Sequence, residues 1–424
     1  MSQSRQTMHK PGRIAYFAVM LAMLPGCSPS DSLQELAEDY VRLALALDYS
    51  KPGEVDAWFG PQELEPDPDA GTTLDELLAE LHSLSSALAQ APDDPASGRK
   101  QQLQAKTAQL TAVVEVLASP GPPPFAEEAE RLYGLTIPTL SLAVLQQQIF
   151  DELSTLLPGT GSLAFRVGSF RNKLLIPAER RKALFERALE ECRARTLVKW
   201  TLPATEQLKV EWTRDVTTPW HRYEGGYQST LQLNDLTLAY ISSPLDVACH
   251  EGYPGHHAQF VLFEAAAGGA LAVEDTVVVL RSPESAMREG AANLGVDLVF
   301  PATERLKFEQ EVLFPLAGLN PELAETNLRI NALLGKLALV TLPILEEYRN
   351  GDATYNATTF ELDREALVSN PTELLRFVDE YGAYSVGYTL LREQLQAYTG
   401  EGPEAWDRLR AVLSSPSTVL PDTQ

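Results

Sequence analysis

Apolar residues recur three and four positions apart over most of this chain, the spacing that lays one stripe along an α-helix. In the first such run, 33–47, residues Leu33, Leu36, Ala37, Tyr40, Val41, Leu43 and Ala44 share a face. The same spacing predicts helices over 74–91, 100–118, 139–156, 178–197, 323–349 and 371–398. Between them, Ala91-Pro92-Asp93-Asp94-Pro95-Ala96-Ser97-Gly98 and Ser119-Pro120-Gly121-Pro122-Pro123-Pro124 are rich in residues that end helices. One segment departs from the pattern. Tyr227-Gln228-Ser229-Thr230-Leu231-Gln232-Leu233 alternates polar and apolar residues in its second half and then meets the turn-prone pair Asn234-Asp235, which predicts a short strand or hairpin. An edge strand there could pair with an extended peptide; the alternative is a hairpin that covers the core. No internal repeat interrupts the chain. The expected fold class is mainly α.

Length and composition leave room for a large core, with 424 residues at 44% hydrophobic content. The reading is a leader over 1–26 and one large helical domain over 27–424, with an N-terminal part at 27–155 and the chemistry in 156–424. Arg5, Lys10 and Arg13 precede an apolar run from Ile14 to Leu24 that is too short to span a bilayer. It ends at Leu24-Pro25-Gly26-Cys27, which resembles a bacterial lipobox with Cys27 as the lipidated residue, although Pro25 is unusual there and ordinary secretory cleavage is the alternative. Ser28 after the Cys favours, by resemblance to sorted lipoproteins, the outer membrane facing the periplasm. The formal charge of −24 repels nucleic acid and anionic lipid headgroups, so nucleic acid is not an expected partner and the membrane is met only through the anchor. Cys192 and Cys249 are too few for a disulfide framework. One bridge is possible, and two buried thiols are the preferred reading.

Four of the six histidines lie between positions 221 and 257. Three of them stand in His250-Glu251-Gly252-Tyr253-Pro254-Gly255-His256-His257, similar to the motif in which two imidazoles one helical turn apart hold zinc and the Glu is the general base. The spacing does not suit a regular helix. At about 100° per residue His256 would point roughly 120° from His250, and His257 would lie about 10 Å further along. Pro254 cannot donate to the His250 carbonyl and Gly255 tolerates unusual backbone angles, so a bulge is expected there. A bulge of two residues makes His250 and His256 the ligands, with His257 in reserve. Catalytic zinc takes three protein ligands, and the expected third is Glu289, on a helix predicted to begin near Pro283. Asn293, one turn on, and Asp246, one turn before His250, are candidates to orient the ligands. Cys249 is expected to pack as a small buried residue, and His221 to serve as a hydrogen-bonding or substrate-side group.

These residues carry a resemblance. The His250–His257 signature is similar, almost letter for letter, to that of the bacterial family catalogued as domain of unknown function 885, mostly helical proteins regarded as zinc peptidases. Val55-Asp56-Ala57-Trp58-Phe59-Gly60-Pro61, Pro219-Trp220-His221-Arg222-Tyr223-Glu224-Gly225-Gly226-Tyr227, Glu289-Gly290-Ala291-Ala292-Asn293 and Tyr384-Ser385-Val386-Gly387 also look like family segments. The resemblance implies a zincin-like metallopeptidase architecture and strengthens Glu289 as ligand. It also nominates Tyr384 as a phenol that donates to an oxyanion, with core packing as the alternative. Ala291 stands where the family often has a bulkier residue, which bears on pocket shape.

The expected function is hydrolysis of an amide, most simply in a peptide or peptide-like substrate, with one divalent metal, zinc by preference, and Glu251 as proton carrier. Trp220, Tyr223 and Tyr227 are expected to line the substrate cleft. Two alternatives keep the same ligands: a metal-stabilised envelope lipoprotein without turnover, and a zinc hydrolase of esters or cell-wall amides.

Overall fold

The computed structural model describes residues 29–67, 71–92, 98–138 and 142–415. The leader and Cys27 lie outside these residues. Among the described residues the chain is mainly helical, with two small sheets. One apolar core runs from Leu33 through Leu413.

The helices form where the apolar stripe and its caps agree. Pro29–Ser50, Leu74–Gln90, Arg99–Ala118, Ala143–Leu156 and Ala178–Lys199 follow the predicted runs closely. Thr73 starts the second of these with a capping box, its hydroxyl accepting the Glu76 amide while the Glu76 carboxylate accepts the Thr73 amide. Two predicted helices are broken. The run over 323–349 is divided into Ala324–Leu337 and Thr341–Arg349 by a tight turn at Ala338–Val340. Pro343 has no N–H for the Leu339 carbonyl, and Thr341 Oγ1 donates to the Ala338 carbonyl at 2.6 Å, so two local effects bend the chain together. The run over 371–398 becomes Pro371–Tyr381, a 3₁₀ segment Gly382–Tyr388 and Leu390–Thr399. Gly382 takes φ +57° against the buried Glu128 carboxylate, which accepts the Ala383 amide at 3.0 Å. A periodic stripe does not register a break made by a partner so distant in sequence.

Strands β1 (Val55–Trp58) and β5 (Val277–Val279) form an antiparallel pair, and β2 (Gln207–Trp212), β3 (Trp220–Gly225) and β4 (Gln228–Leu233) form the second sheet in the order β2-β4-β3. The predicted strand is thus β4, and it is central. Parallel β2 and antiparallel β3 occupy both of its edges, so it has no free ladder to offer a peptide.

The cysteine expectation is corrected. Cys192 and Cys249 are both fully buried, and they form a disulfide with Cα atoms 5.5 Å apart. The helices Ala178–Lys199 and Ser243–Glu251 lie side by side, and this adjacency brings together two cysteines 57 residues apart. The bridge restricts the unfolded chain by a loop of that length, worth about 4 kcal/mol on a chain-entropy account. Cys192→Ser should therefore lower the melting temperature measured by circular dichroism without reductant, and the gap from the unsubstituted protein should close when both are measured in excess reductant.

Candidate metal centre

The helix Ser243–Glu251 carries His250 and Glu251 in its last turn, and the helix His256–Ala266 opens with His256. The expected bulge lies over residues 252–255, where two residues are looped out between the helices. The Tyr253–Pro254 peptide is cis. The Gly255 amide reaches the Cys249 carbonyl at 3.0 Å, and the Ala258 amide reaches the Gly252 carbonyl at 3.1 Å. A Cβ on Gly255 would stand 1.6 Å from the His250 carbonyl oxygen, so no other residue fits. The bulge sets the His250 and His256 rings edge to face, 4.8 Å between centroids.

Glu289 arrives on the helix Pro283–Val299, which starts with Pro283 in its first turn and Ser282 Oγ accepting the Ser285 amide at 3.1 Å. Missing side chains let this helix come close. A Cβ on Gly295 would meet Pro254 Cγ at 2.8 Å, and one on Gly290 would meet Leu391 Cβ at 3.0 Å. The Glu289 carboxylate lies 3.3 Å from His250 Nε2 and 3.5 Å from His256 Nε2. One ligand atom from each of the three residues lies within 4.8 Å of the others. Glu289 Oε2 is nevertheless buried with no hydrogen-bond partner, a costly state unless a cation answers it. Two imidazole nitrogens and a carboxylate oxygen are a donor set that catalytic zinc takes, so these residues fit a divalent ion.

The surroundings tune the three. His250 Nδ1 is 3.1 Å from Asn293 Oδ1, and because an amide oxygen only accepts, the ring proton sits on Nδ1 and the Nε2 lone pair is free to ligate. Burial by itself would lower the His256 pKa, but Glu289, Glu251 and Asp56 outweigh it and raise it to about 9. Burial would likewise raise Glu289, yet His256 and His250 hold it well below the carboxylate range. Glu251 is buried and its pKa is pushed up by loss of hydration. With His250 and Asn293 it lines a cavity of 1610 Å³.

Other expected residues go elsewhere. His257 is fully buried, with Nδ1 2.8 Å from Ser229 Oγ and Nε2 2.8 Å from Glu206 Oε2. Tyr253 OH donates to the same Glu206 oxygen at 2.5 Å, and Arg193 Nη2 holds the other oxygen at 2.5 Å. His257 therefore braces the bulge and is not in the ligand cluster. Asp246 lines the cavity, but its carboxylate is paired with Arg305 at 2.8 Å and does not orient His250. Tyr223 is a core residue, donating to Glu264 and stacked 5.0 Å from Phe260. Trp220 is half-exposed under the Arg222 guanidinium, and Tyr227 sits at the tip of the β3–β4 hairpin with φ +67°. None of these three aromatics lines the cavity. His221 stands beside the centre with its ring 5.9 Å from His256 and its Nε2 buried without a partner. Burial, then the positive charge of His256, pushes its pKa well down, so it is neutral.

Tyr384 also changes place. Its hydroxyl pairs with Ser285 Oγ at 2.8 Å inside an aromatic cluster with Tyr133 and Phe377. In a 3₁₀ segment with three residues per turn, Tyr388 points about 120° away from Tyr384. It is Tyr388 that lines the cavity and interacts with Glu289. A second group that the motif did not signal is Asp56, the extra residue of a bulge in β1 between the pairs Val55–Val279 and Ala57–Val278. The bulge turns its carboxylate to accept from Ser285 Oγ at 3.1 Å, within the field of Glu289 and His256.

No family profile matches the chain, and no curated protein matches it. Among solved structures, one described as "the putative lipoprotein from Colwellia psychrerythraea" is similar at 15% identity over 92% of this chain and 76% of that one, with a TM-score of 0.46. "The Structure of CHT" is similar at 10% identity over 92% of this chain and 90% of that one, with a TM-score of 0.42. At such scores neither likeness bears on the chemistry.

Metal analysis of purified protein should find about one divalent ion per chain, and His250→Ala, His256→Ala and Glu289→Ala should each lose it while His257→Gln retains it. Burial opposes ionisation of Glu206, but His257, Tyr253 and Arg193 prevail and lower its pKa to about 2 from an ordinary 4.5. Its contribution to stability is therefore complete above the ordinary value and is lost as pH falls toward about 2. Urea unfolding should show Glu206→Gln less stable at pH 6, with the deficit shrinking steadily as the pH is taken down through that window.

Proposed function

We propose that this chain is a metal-dependent hydrolase, most simply a zinc peptidase of zincin-like architecture, anchored in a bacterial cell envelope through Cys27 and facing the periplasm. The observation that carries this reading is a half-buried His250–His256–Glu289 cluster, its ligand atoms within 4.8 Å of one another, with the buried Glu251 next to it on the wall of a 1610 Å³ cavity. A metal site with only a structural purpose has no use for a neighbouring carboxylate that opens onto solvent-accessible space.

His250 Nε2, His256 Nε2 and a Glu289 oxygen would hold the ion. When bound, it supplies Lewis acidity that polarises a carbonyl and makes water easier to deprotonate. Glu251 takes the proton of the attacking water on its carboxylate and later returns it to the leaving amine, a role suited to a carboxyl whose pKa is raised by burial. Asn293 keeps the His250 ring in one tautomer. Tyr388, whose pKa is raised first by burial and then by Glu289, keeps its phenolic proton and can donate it to a developing oxyanion. It takes the part that the resemblance assigned to Tyr384.

Peptides, muropeptides and simple esters offered with and without chelator distinguish the peptidase from an ester or cell-wall amide hydrolase. Glu251→Gln should keep its metal and lose turnover by roughly 10²- to 10⁴-fold, measured as kcat on the best substrate; activity equal to the unsubstituted protein would remove Glu251 from the mechanism.

A further inference from the structure

A second chamber of 500 Å³ adjoins the main cavity, and the two share Asp246, Asn331, Ala338, Tyr388 and Thr389 as walls. Beyond that shared rim the wall is mainly apolar, with Leu342, Leu345, Leu367, Val368, Leu374 and Phe377, and Arg171, Thr341, Ser369 and Ser385 are its polar members. Its volume is within the range of about 300–1,000 Å³ typical of small-molecule sites. Tyr388 joins the two spaces: one side of it interacts with Glu289 and the other faces the chamber. The chamber therefore begins one side chain away from the metal centre.

Leu367 adds an independent observation. It follows Ala366, the C-cap of the helix Tyr355–Glu365, and takes φ +51°. This is the position where a left-handed residue ends a helix, and glycine is the usual occupant because a Cβ is disfavoured there. Leucine at such a position sets local backbone preference aside. Its side chain is buried in the chamber wall, so the conformation is kept where it shapes that wall.

We infer that the chamber is a specificity subsite that accepts a bulky apolar side chain, such as Leu, Phe or Met, of a substrate residue flanking the scissile bond. This rests on the hydrolase reading for the word scissile; the binding itself does not. A side chain entering past Tyr388 exchanges water for a mainly apolar wall, which favours it over glycine by the transfer of its apolar surface.

The test uses tripeptides Ala-Xaa-Ala with Xaa as Gly, Leu, Phe or Asp. Their dissociation constants are measured by calorimetry on metal-loaded Glu251→Gln, and kcat/KM is measured on the unsubstituted chain. The expected result is at least about tenfold tighter binding for Leu and Phe than for Gly or Asp, with kcat/KM in the same order. Ala338→Phe, at the rim, should bring the Phe-to-Gly ratio close to one. Leu367→Gly removes one apolar wall, so the preference for Leu and Phe should weaken, with circular dichroism confirming that the variant is folded. Equal affinities for the Gly and Phe peptides, or ratios untouched by both substitutions, overturn the subsite. Selective binding with no turnover overturns the hydrolase and leaves the subsite standing; turnover without selection does the reverse.

Discussion

The site depends on one steric fact: the chain can loop out two residues between His250 and His256 only because nothing projects from Gly255 toward the His250 carbonyl. A regular helix would send the two imidazoles apart. The neighbouring contacts serve the same bulge. Gly295 lets Pro254 seat against the Glu289 helix, and the Cys192–Cys249 bond holds the residue before His250 to the helix Ala178–Lys199. Glu206 gathers Tyr253, His257 and Arg193 beneath the turn. Four separate interactions thus fix a loop of four residues, and the result is a preorganised pair of ring nitrogens.

The electrostatics follow from that placement. Glu289 sits between two imidazoles in a buried setting, where a charge without a partner is expensive. Its interaction with them raises one ring and lowers the carboxylate, the mutual shift expected of opposite charges brought close. For Glu251 burial outweighs the attraction of His250 and His256, with Glu289 adding to it, and its pKa moves up. Two glutamates of one site are therefore pushed in opposite directions, one suited to holding a cation and the other to moving a proton.

How much of this the sequence discloses depends on the range of the interactions involved. The helices are legible because a stripe is a local property. His250, His256, Glu289 and Asn293 are also legible, since Pro254-Gly255 announces a break and a single helical turn relates Glu289 to Asn293. What cannot be read rests on phase or on distant neighbours. Tyr384 and Tyr388 differ in role because the segment is 3₁₀, and it is 3₁₀ because Gly382 meets Glu128 from far along the chain. Asp56 owes its aim to a bulge in a four-residue strand. Asp246 lies at helical spacing from His250, but Arg305 claims it. Tyr223 carries the amphipathic ring expected of a cleft residue, and Glu264 draws it inward instead.

The segment Gly382–Tyr388 has a consequence for how the protein comes into being. Tyr388 and the helix that packs on Gly290 are supplied by the far end of the chain, while Asp56 comes from near its beginning. Contacts so widely separated in sequence form late, because the loops between them must close first. The centre is consequently a property of the finished molecule: a partly emerged or truncated chain can carry the histidine motif intact and still lack the walls that make it a site.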